Sequence, residues 1–277
     1  MRSRVTTAFV SVLLSFCSLP GLAETLVPTI SGNELTARIE LGGGLTADLT
    51  VTFESAVGLN PAALTLSASA IDPTDLAFLA RMPKGVSLPA GFPVVVRIEP
   101  TASSALSFEG VYKLSIYTNN LTLGANSPLR LYRAPQGGGF GDMTGFLQAG
   151  SVRAGGSGPG FSEFVIAADP RAVDSVIVSK FDAVQAELSA NWSSILPSVA
   201  SDLQQRLNQA RTAYTAGSLS AAIDGVSAFG DEVKNQSGAP IPNVWRANGG
   251  PVNVAGLLRS AAETLKFSLV FKSNLTP

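Results

Sequence analysis

Apolar and polar residues alternate along several segments between residue 24 and about residue 168. The most regular apolar face consists of Leu45, Ala47, Leu49, Val51 and Phe53. A period of two is typical of a β-strand that is buried on one side only. Similar runs occur at 35–41, 64–70, 94–98 and 112–116, and shorter strands are predicted at 129–133 and 162–167. Because one-sided burial is typical of antiparallel sheets, the pattern predicts a β-sandwich.

The spacing of apolar residues changes at Asp169-Pro170-Arg171, where three-to-four spacing replaces alternation. This spacing is typical of amphipathic helices. One predicted stripe contains Val199, Leu203, Leu207, Ala210 and Tyr214, and a second contains Leu219, Ile223, Val226, Phe229 and Val233. Gly217 and Ser218 are predicted to cap the two helices between them. Further helices are predicted over 175–190 and from about 254.

We therefore predict an α+β fold with an antiparallel β-sandwich over 24–168 and a three- or four-helix bundle over 169–277. Each part has its own set of regularly spaced apolar residues, which predicts two folding units. Gly42-Gly43-Gly44 is predicted to join two strands. A short helix is predicted over 74–80 with Pro73 in its first turn. The segment 237–251 is predicted to be a loop.

The first 23 residues have the pattern of a secretory signal peptide. Arg2 and Arg4 precede an uncharged apolar run, and Gly21-Leu22-Ala23 supplies a small-x-small cleavage site. The run is shorter than the approximately 20 apolar residues that span a bilayer. We therefore expect export, to the periplasm or the medium, with a mature chain that starts at Glu24 and has no membrane-spanning segment.

The mature chain lacks the residues of several common chemistries. The sequence contains no histidine, and its one cysteine, Cys17, lies in the predicted signal peptide. This excludes Ser-His-Asp and Cys-His catalysis, disulfide bonds, and the usual zinc sites. No serine stands three residues before a lysine, so the Ser-x-x-Lys acylation motif is also missing. Loss of Arg2 and Arg4 leaves 17 basic residues against 20 acidic ones, which does not favour nucleic acid as a partner.

Carboxylate chemistry remains open, because a pair of acids is enough to cleave a glycosidic bond. The candidate acids are Glu99, Glu109, Asp142, Glu163 and Asp169. Each of them is also explained as a turn residue, a solvated residue or a partner of a nearby arginine, and we favour that explanation.

Three other segments invite a functional interpretation that we judge weaker than a structural one. Asp72-Pro73-Thr74-Asp75 could hold calcium but lacks the acid density of an EF-hand, so we predict a helix cap. Gly137–Gly141 is not followed by the Lys-Ser of a phosphate loop, so we predict a hairpin or long connection. A nearby set of aromatic residues could form a docking surface, but we predict a core position for them; these residues are Phe140, Phe146, Phe161 and Phe164.

Two parts of the chain resemble known modules. Ser127–Arg133, Gly139–Thr144 and Gly160–Ala167 resemble the closing strands of β-sandwich modules in bacterial surface and exported proteins. The helical part, from Leu203 to Leu265, is similar to the FIMAH domain, a helical module of extracellular bacterial proteins. Together the two parts resemble an uncharacterised family of exported bacterial proteins. The shared motifs are structural, so no catalytic, cofactor-binding or metal-binding residue is implied.

The function that we predict is a non-enzymatic binding, adhesion or spacer module outside the cytoplasm. Its expected partner is a protein or carbohydrate of the cell envelope, and no cofactor is expected. The alternative is a carboxylate-dependent hydrolase of an extracellular polymer, which needs two acids converging in a cleft. A third possibility is a structural subunit that assembles through an open sheet edge.

Overall fold

The computed structural model describes residues 23–101, 103–124, 126–148, 150–250 and 252–275. The predicted signal peptide, apart from Ala23, lies outside these residues. The strands in the described part are β1 (Glu24–Leu26), β2 (Thr29–Ser31), β3 (Glu34–Leu41), β4 (Leu45–Val57), β5 (Leu64–Ala70), β6 (Val94–Pro100), β7 (Ser107–Leu123), β8 (Leu129–Ala134), β9 (Gly141–Asp142), β10 (Phe146–Gln148), β11 (Gly150–Gly158), β12 (Glu163–Ala168) and β13 (Val244–Arg246). The helices are α1 (Leu76–Leu79), α2 (Val173–Ala190), α3 (Pro197–Thr215), α4 (Leu219–Asn235) and α5 (Val254–Leu275).

The strands form two antiparallel sheets that enclose one apolar core. The first sheet has the strand order β1-β5-β6-β12-β8-β9, and the second has the order β10-β11-β7-β4-β3-β2 with β13 added to β7. Leu66 and Val96 of the first sheet and Leu49 and Leu114 of the second are buried in the same core. The predicted antiparallel β-sandwich is confirmed.

Strand β11 was not predicted, because its glycines interrupt the alternation. The structure shows why side chains are absent there. A Cβ on Gly156 would collide with the carbonyl oxygen of Met143, and one on Gly158 would collide with the Tyr112 hydroxyl. The strand therefore needs glycine so that neighbouring backbone and an aromatic ring can approach closely.

The short helix α1 begins later than predicted. Asp75 is its N-cap, and its Oδ1 accepts hydrogen bonds from Ala77 N at 2.8 Å and Phe78 N at 3.2 Å. Pro73 therefore lies before the cap and not in the first turn, which corrects the prediction. Asp72 Oδ1 accepts hydrogen bonds from the backbone and hydroxyl groups of Thr74 in a local turn. The predicted cap function of this segment is confirmed.

Helices α2 to α5 pack around a second apolar core, so the prediction of a three- or four-helix bundle is confirmed with four helices. Gly217 ends α3 with a positive φ of 81°. Ser218 N donates to Ala213 O and Gly217 N donates to Tyr214 O, which is the Schellman arrangement. Ser218 is the N-cap of α4, as predicted, but its side chain makes no capping hydrogen bond.

The segment predicted as a loop over 237–251 contains β13, which belongs to the sandwich. Trp245 of β13 pairs in register with Phe108 of β7, and the two rings stack at a centroid distance of 5.1 Å. Ala247 N also donates to Leu106 O at 2.9 Å. The C-terminal part of the chain thus supplies one strand to the sheet of the N-terminal part.

Polar contacts also join helix α5 to the sandwich. Arg259 donates to both carboxylate oxygens of Glu54, at 2.6 and 2.7 Å. Asn253 Nδ2 donates to Gly110 O at 2.7 Å. The sandwich core and the helical core are separate clusters, as the two apolar patterns predict. The contacts hold the start of α5 against β4 and β7 of the sandwich.

Candidate functional site

A cleft of about 450 Å³ lies between the sandwich and helices α2 and α5, and we call it the central cleft. Its sandwich wall comes from residues in or near β8, β9 and β11. The polar side chains in its lining are Arg133, Asp142, Ser157, Arg171, Ser179, Lys180, Glu187, Ser260 and Thr264. The cleft therefore presents hydroxyl groups and charges of both signs.

A buried ion pair belongs to the lining of the central cleft. Lys180 Nζ lies 2.6 Å from Asp142 Oδ2, and both side chains are less than a tenth exposed. Lys180 Nζ also donates to Thr264 Oγ1 at 2.7 Å and to Ser268 Oγ at 2.8 Å. Burial lowers the pKa of Lys180, and the charge of Asp142 opposes this shift. Because its partners surround it, Lys180 joins α2, α5 and the sandwich at one point.

Glu187 is half-buried on the α2 side of the central cleft. Burial raises the pKa of the Glu187 carboxyl, and the positive charge of Arg133 acts in the opposite direction. Arg133 itself donates from Nε to Ser162 Oγ at 2.7 Å. On the α5 side, Ser260 Oγ is buried and has no hydrogen-bond partner among the described residues. The wall of the cleft thus carries a buried hydroxyl group that has no hydrogen-bond partner in the described part of the chain.

We expect Glu187→Gln to raise the free energy of unfolding near pH 7. The pKa of this carboxyl is higher in the folded protein than its value of about 4.3 in the unfolded chain. Its protonated form therefore stabilises the folded state. That contribution is present below the unfolded pKa and is lost as the pH rises through the folded pKa. Glutamine is neutral at every pH. The variant should therefore be more stable than the wild-type protein near neutral pH and equally stable near pH 4. Urea unfolding at both pH values tests this, and an equal effect at both would contradict it.

The candidate acids Glu99 and Glu163 line a different pocket, of about 440 Å³, on the sandwich. Glu163 is buried and accepts hydrogen bonds from Arg81 and, at 2.7 Å, from Arg97. Burial alone would raise the pKa of Glu163, but the two guanidinium groups outweigh it and hold the pKa below its ordinary value. Glu163 is therefore an ionised structural residue, as the arginine-partner interpretation predicts.

Asp169 lies in a third cavity, of about 200 Å³, beside the start of α2. It accepts hydrogen bonds from the guanidinium of Arg171, at 2.7 and 2.8 Å, and from the hydroxyl of Tyr132 at 2.7 Å. Burial opposes ionisation, but these donors keep the pKa of Asp169 below its ordinary value. Glu109 is exposed and lines none of these three cavities. The five candidate acids are thus spread over several places.

The other segments singled out from the sequence have structural roles. Gly137–Gly141 lies in the hairpin between β8 and β9, as predicted. Phe140 and Phe164 are buried, and Phe161 packs on the sandwich core, so their predicted core position is confirmed. Phe146 is only partly buried, on the edge strand β10. In the part of the chain that the structure describes, no group of three or more potential ligands is placed to hold a metal ion.

Sequence reasoning did not single out Lys180 or Glu187. One signal for Lys180 was available, because it occupies the buried stripe of α2 between Ile177 and Val184. A lysine at such a position must find a partner, since burying an unpaired charge is very unfavourable. The position of Glu187 in a cleft depends on how α2 lies against the sandwich, which the helical pattern does not contain.

None of the helices in the described residues combines the length and the apolar composition needed to cross a bilayer. A family model with the description "Family of unknown function (DUF6689)" matches residues 12–273, which include both the sandwich and the helices. No curated protein and no solved structure matches the chain. The predicted relationship to an uncharacterised family is therefore confirmed.

Proposed function

We propose, for a chain that belongs to the family of unknown function DUF6689, that it is an exported, non-enzymatic module that binds a small hydroxylated ligand in the central cleft. The observation that carries this proposal is the cleft itself, with a volume of about 450 Å³. Small-molecule sites have volumes of roughly 300–1,000 Å³ and often lie between two structural units. The central cleft has both properties.

The lining of the central cleft favours a sugar-like ligand. Ser179 offers a hydroxyl group, Arg133 offers N–H donors and Glu187 offers a carboxyl, while Leu257 adds apolar surface. A sugar hydroxyl both donates and accepts hydrogen bonds, so it can satisfy neighbours of either kind. A mono- or disaccharide therefore fits this chemistry better than an apolar ligand does, and a carbohydrate is one of the two expected kinds of partner.

The alternative of a carboxylate-dependent hydrolase has weaker support. Such an enzyme needs a protonated and an ionised acid that both reach the substrate. Asp142 and Glu187 do line the same cleft, but the Asp142 side chain is only 4% exposed and is bound to Lys180. Among the described residues that line the cleft, this leaves Glu187 as the one accessible acid. Assembly through sheet edges is also less favoured, since the edge strands β2 and β10 have three residues each.

Export is part of the proposal and depends on the pattern of residues 1–23. The likeness of the helical part to a FIMAH domain and a bacterial origin also remain proposals. Both fit a binding module that works outside the cytoplasm.

The test uses protein recovered from the exported fraction of a bacterium that expresses the full chain. Its intact mass should correspond to a chain that begins at Glu24. Thermal unfolding is then followed with glucose, N-acetylglucosamine, cellobiose and chitobiose as probes. A sugar present at about 100 times its Kd should stabilise the protein by about 2.7 kcal/mol. Stabilisation by none of the four sugars, or retention of Met1, would contradict the corresponding part of the proposal.

Two tryptophan substitutions on one helix provide the matched control. Ala183 and Ala186 are both exposed on α2, but only Ala183 lines the central cleft. We expect Ala183→Trp to abolish the sugar effect and Ala186→Trp to preserve it. An unchanged sugar effect in Ala183→Trp would place the binding elsewhere. Release of new reducing ends from the disaccharides would instead favour the hydrolase.

A further inference from the structure

Arg130 is a buried arginine on β8, with 7% of its surface exposed. Its Nη1 donates to Ser127 O at 2.9 Å and to Leu129 O at 2.6 Å. The guanidinium carbon also lies 5.5 Å from the ring centroid of Phe267 and 4.3 Å from that of Phe271. Carbonyl groups and aromatic rings hold the guanidinium in place, but they do not neutralise its charge.

The carboxylates near Arg130 are bound to other cations. Asp142 pairs with Lys180 and Asp169 pairs with Arg171, each at less than 3 Å. Within the described residues no carboxylate lies at ion-pair distance from Arg130 itself. These three cations and two carboxylates therefore carry one positive charge in excess. An unpaired buried charge is strongly unfavourable. Burial lowers the pKa of Arg130, and the charges of Asp142 and Asp169 only partly oppose this shift.

One edge of the Arg130 guanidinium lacks acceptors. Nη1 is used by the two carbonyl groups, whereas Nε and Nη2 have no hydrogen-bond acceptor among the described residues. This Nε–Nη2 edge is suited to a carboxylate, which it can bind through two parallel hydrogen bonds. The position of the Arg130 cation is thus fixed, while none of the described side chains binds its Nε–Nη2 edge.

A cavity of about 200 Å³ adjoins Arg130. Its neutral polar lining residues are Asn126, Ser127 and Ser268. Asp169 and Arg171, which pair with each other, also line it, and the remaining lining is apolar and includes Phe271 and Leu275. Since one water molecule occupies about 30 Å³ in the liquid, the cavity is larger than a single inorganic ion requires. Its lining suits a small molecule with an anionic end and an apolar end.

We infer that this cavity binds a small organic acid, whose carboxylate pairs with the Nε–Nη2 edge of Arg130 and whose apolar part lies against Phe271 and Leu275. The site is distinct from the central cleft, with which it shares only Arg171 and Val176. The inference does not depend on sugar binding, because a different cavity and a different charge carry it.

The test compares the sodium salts of benzoate, butyrate, phosphate and chloride at equal ionic strength. We expect benzoate or butyrate to raise the melting temperature of the full chain above its value in chloride. Arg130→Gln should abolish this rise, because it removes the guanidinium. Leu275→Trp should also abolish it by filling the cavity, whereas Val270→Trp on the same helix should not. Leu275 and Val270 are similarly exposed, at 39% and 37%, but only Leu275 lines the cavity.

Three results would overturn the inference. The first is no difference between the two carboxylates and chloride in the wild-type chain. The second is a rise with phosphate alone, which would indicate an inorganic anion site. The third is a carboxylate effect that survives Leu275→Trp; this comparison decides the matter even if Arg130→Gln fails to fold. Loss of the sugar effect in Ala183→Trp with the carboxylate effect retained would separate this site from the central cleft.

Discussion

Lys180→Met is expected to lower the free energy of unfolding by about 3–5 kcal/mol. The substitution leaves the Asp142 carboxylate buried without its cation, and it removes the donor that Thr264 and Ser268 share. Methionine is close to lysine in length and is flexible, so lost packing should contribute little. Urea unfolding of the two full-length proteins measures the difference.

Two further variants test whether the loss of stability in Lys180→Met comes from the buried ion pair. Lys266 is exposed on the same helix that carries Thr264, so Lys266→Met should change the stability by no more than about 0.5 kcal/mol. Adding Asp142→Asn to Lys180→Met should recover part of the loss, because the unpaired charge is then gone. A loss of only about 1 kcal/mol or less for Lys180→Met would mean that the pair contributes no more than a surface ion pair.

Phe229→Ala is expected to destabilise the protein by about 3–5 kcal/mol. The ring lies on the apolar stripe of α4 and is fully buried in the helical core. Its removal takes apolar surface out of the core and leaves a cavity that the surrounding helices cannot fully close. Because small domains have total stabilities of about 5–15 kcal/mol, the helical part should lose much of its stability. Circular dichroism of the full chain during urea unfolding measures the effect.

Val178→Ala is the matched control, since Val178 is about half-exposed on α2 and the substitution should cost no more than about 0.5 kcal/mol. The shape of the transition in Phe229→Ala also tests the predicted division near Asp169. If the helices and the sandwich unfold separately, the helical transition moves and the sandwich transition stays. A loss below about 1 kcal/mol would show that Phe229 packs far less tightly than its burial indicates.

The elements that could be predicted from the sequence are those in which the spacing of apolar residues matches one buried face. β4 and α4 each bury one regular face, so alternation or three-to-four spacing reveals them. β11 is different, because its glycines are required by close neighbours such as Met143 and Tyr112 that are distant in sequence. β13 has three residues, which is too short for a period to appear. Its identity as a strand comes from its pairing with β7.

The candidate sites were harder to predict from the sequence than the fold was. Asp142 and Asp169 were recognised as candidate acids, but their partners Lys180 and Arg171 decide their chemistry. In the sequence, Arg130 is one of several arginines that could pair with a nearby acid. Its excess charge becomes apparent when each neighbouring carboxylate has been assigned to another cation. Such an assignment needs distances between elements, which no local pattern supplies.

The pairing of β13 with β7 has a consequence for the order in which the protein can assemble. Synthesis delivers the N-terminal part first, so β7 emerges long before β13 is present. During this interval the backbone groups of Ser107–Glu109 lack their later neighbour on that side, and such open edges recruit strands from other chains. Contacts between distant parts of a chain also slow folding. A holdase that shields strand edges would therefore be most useful to this protein until nearly its whole length has been delivered.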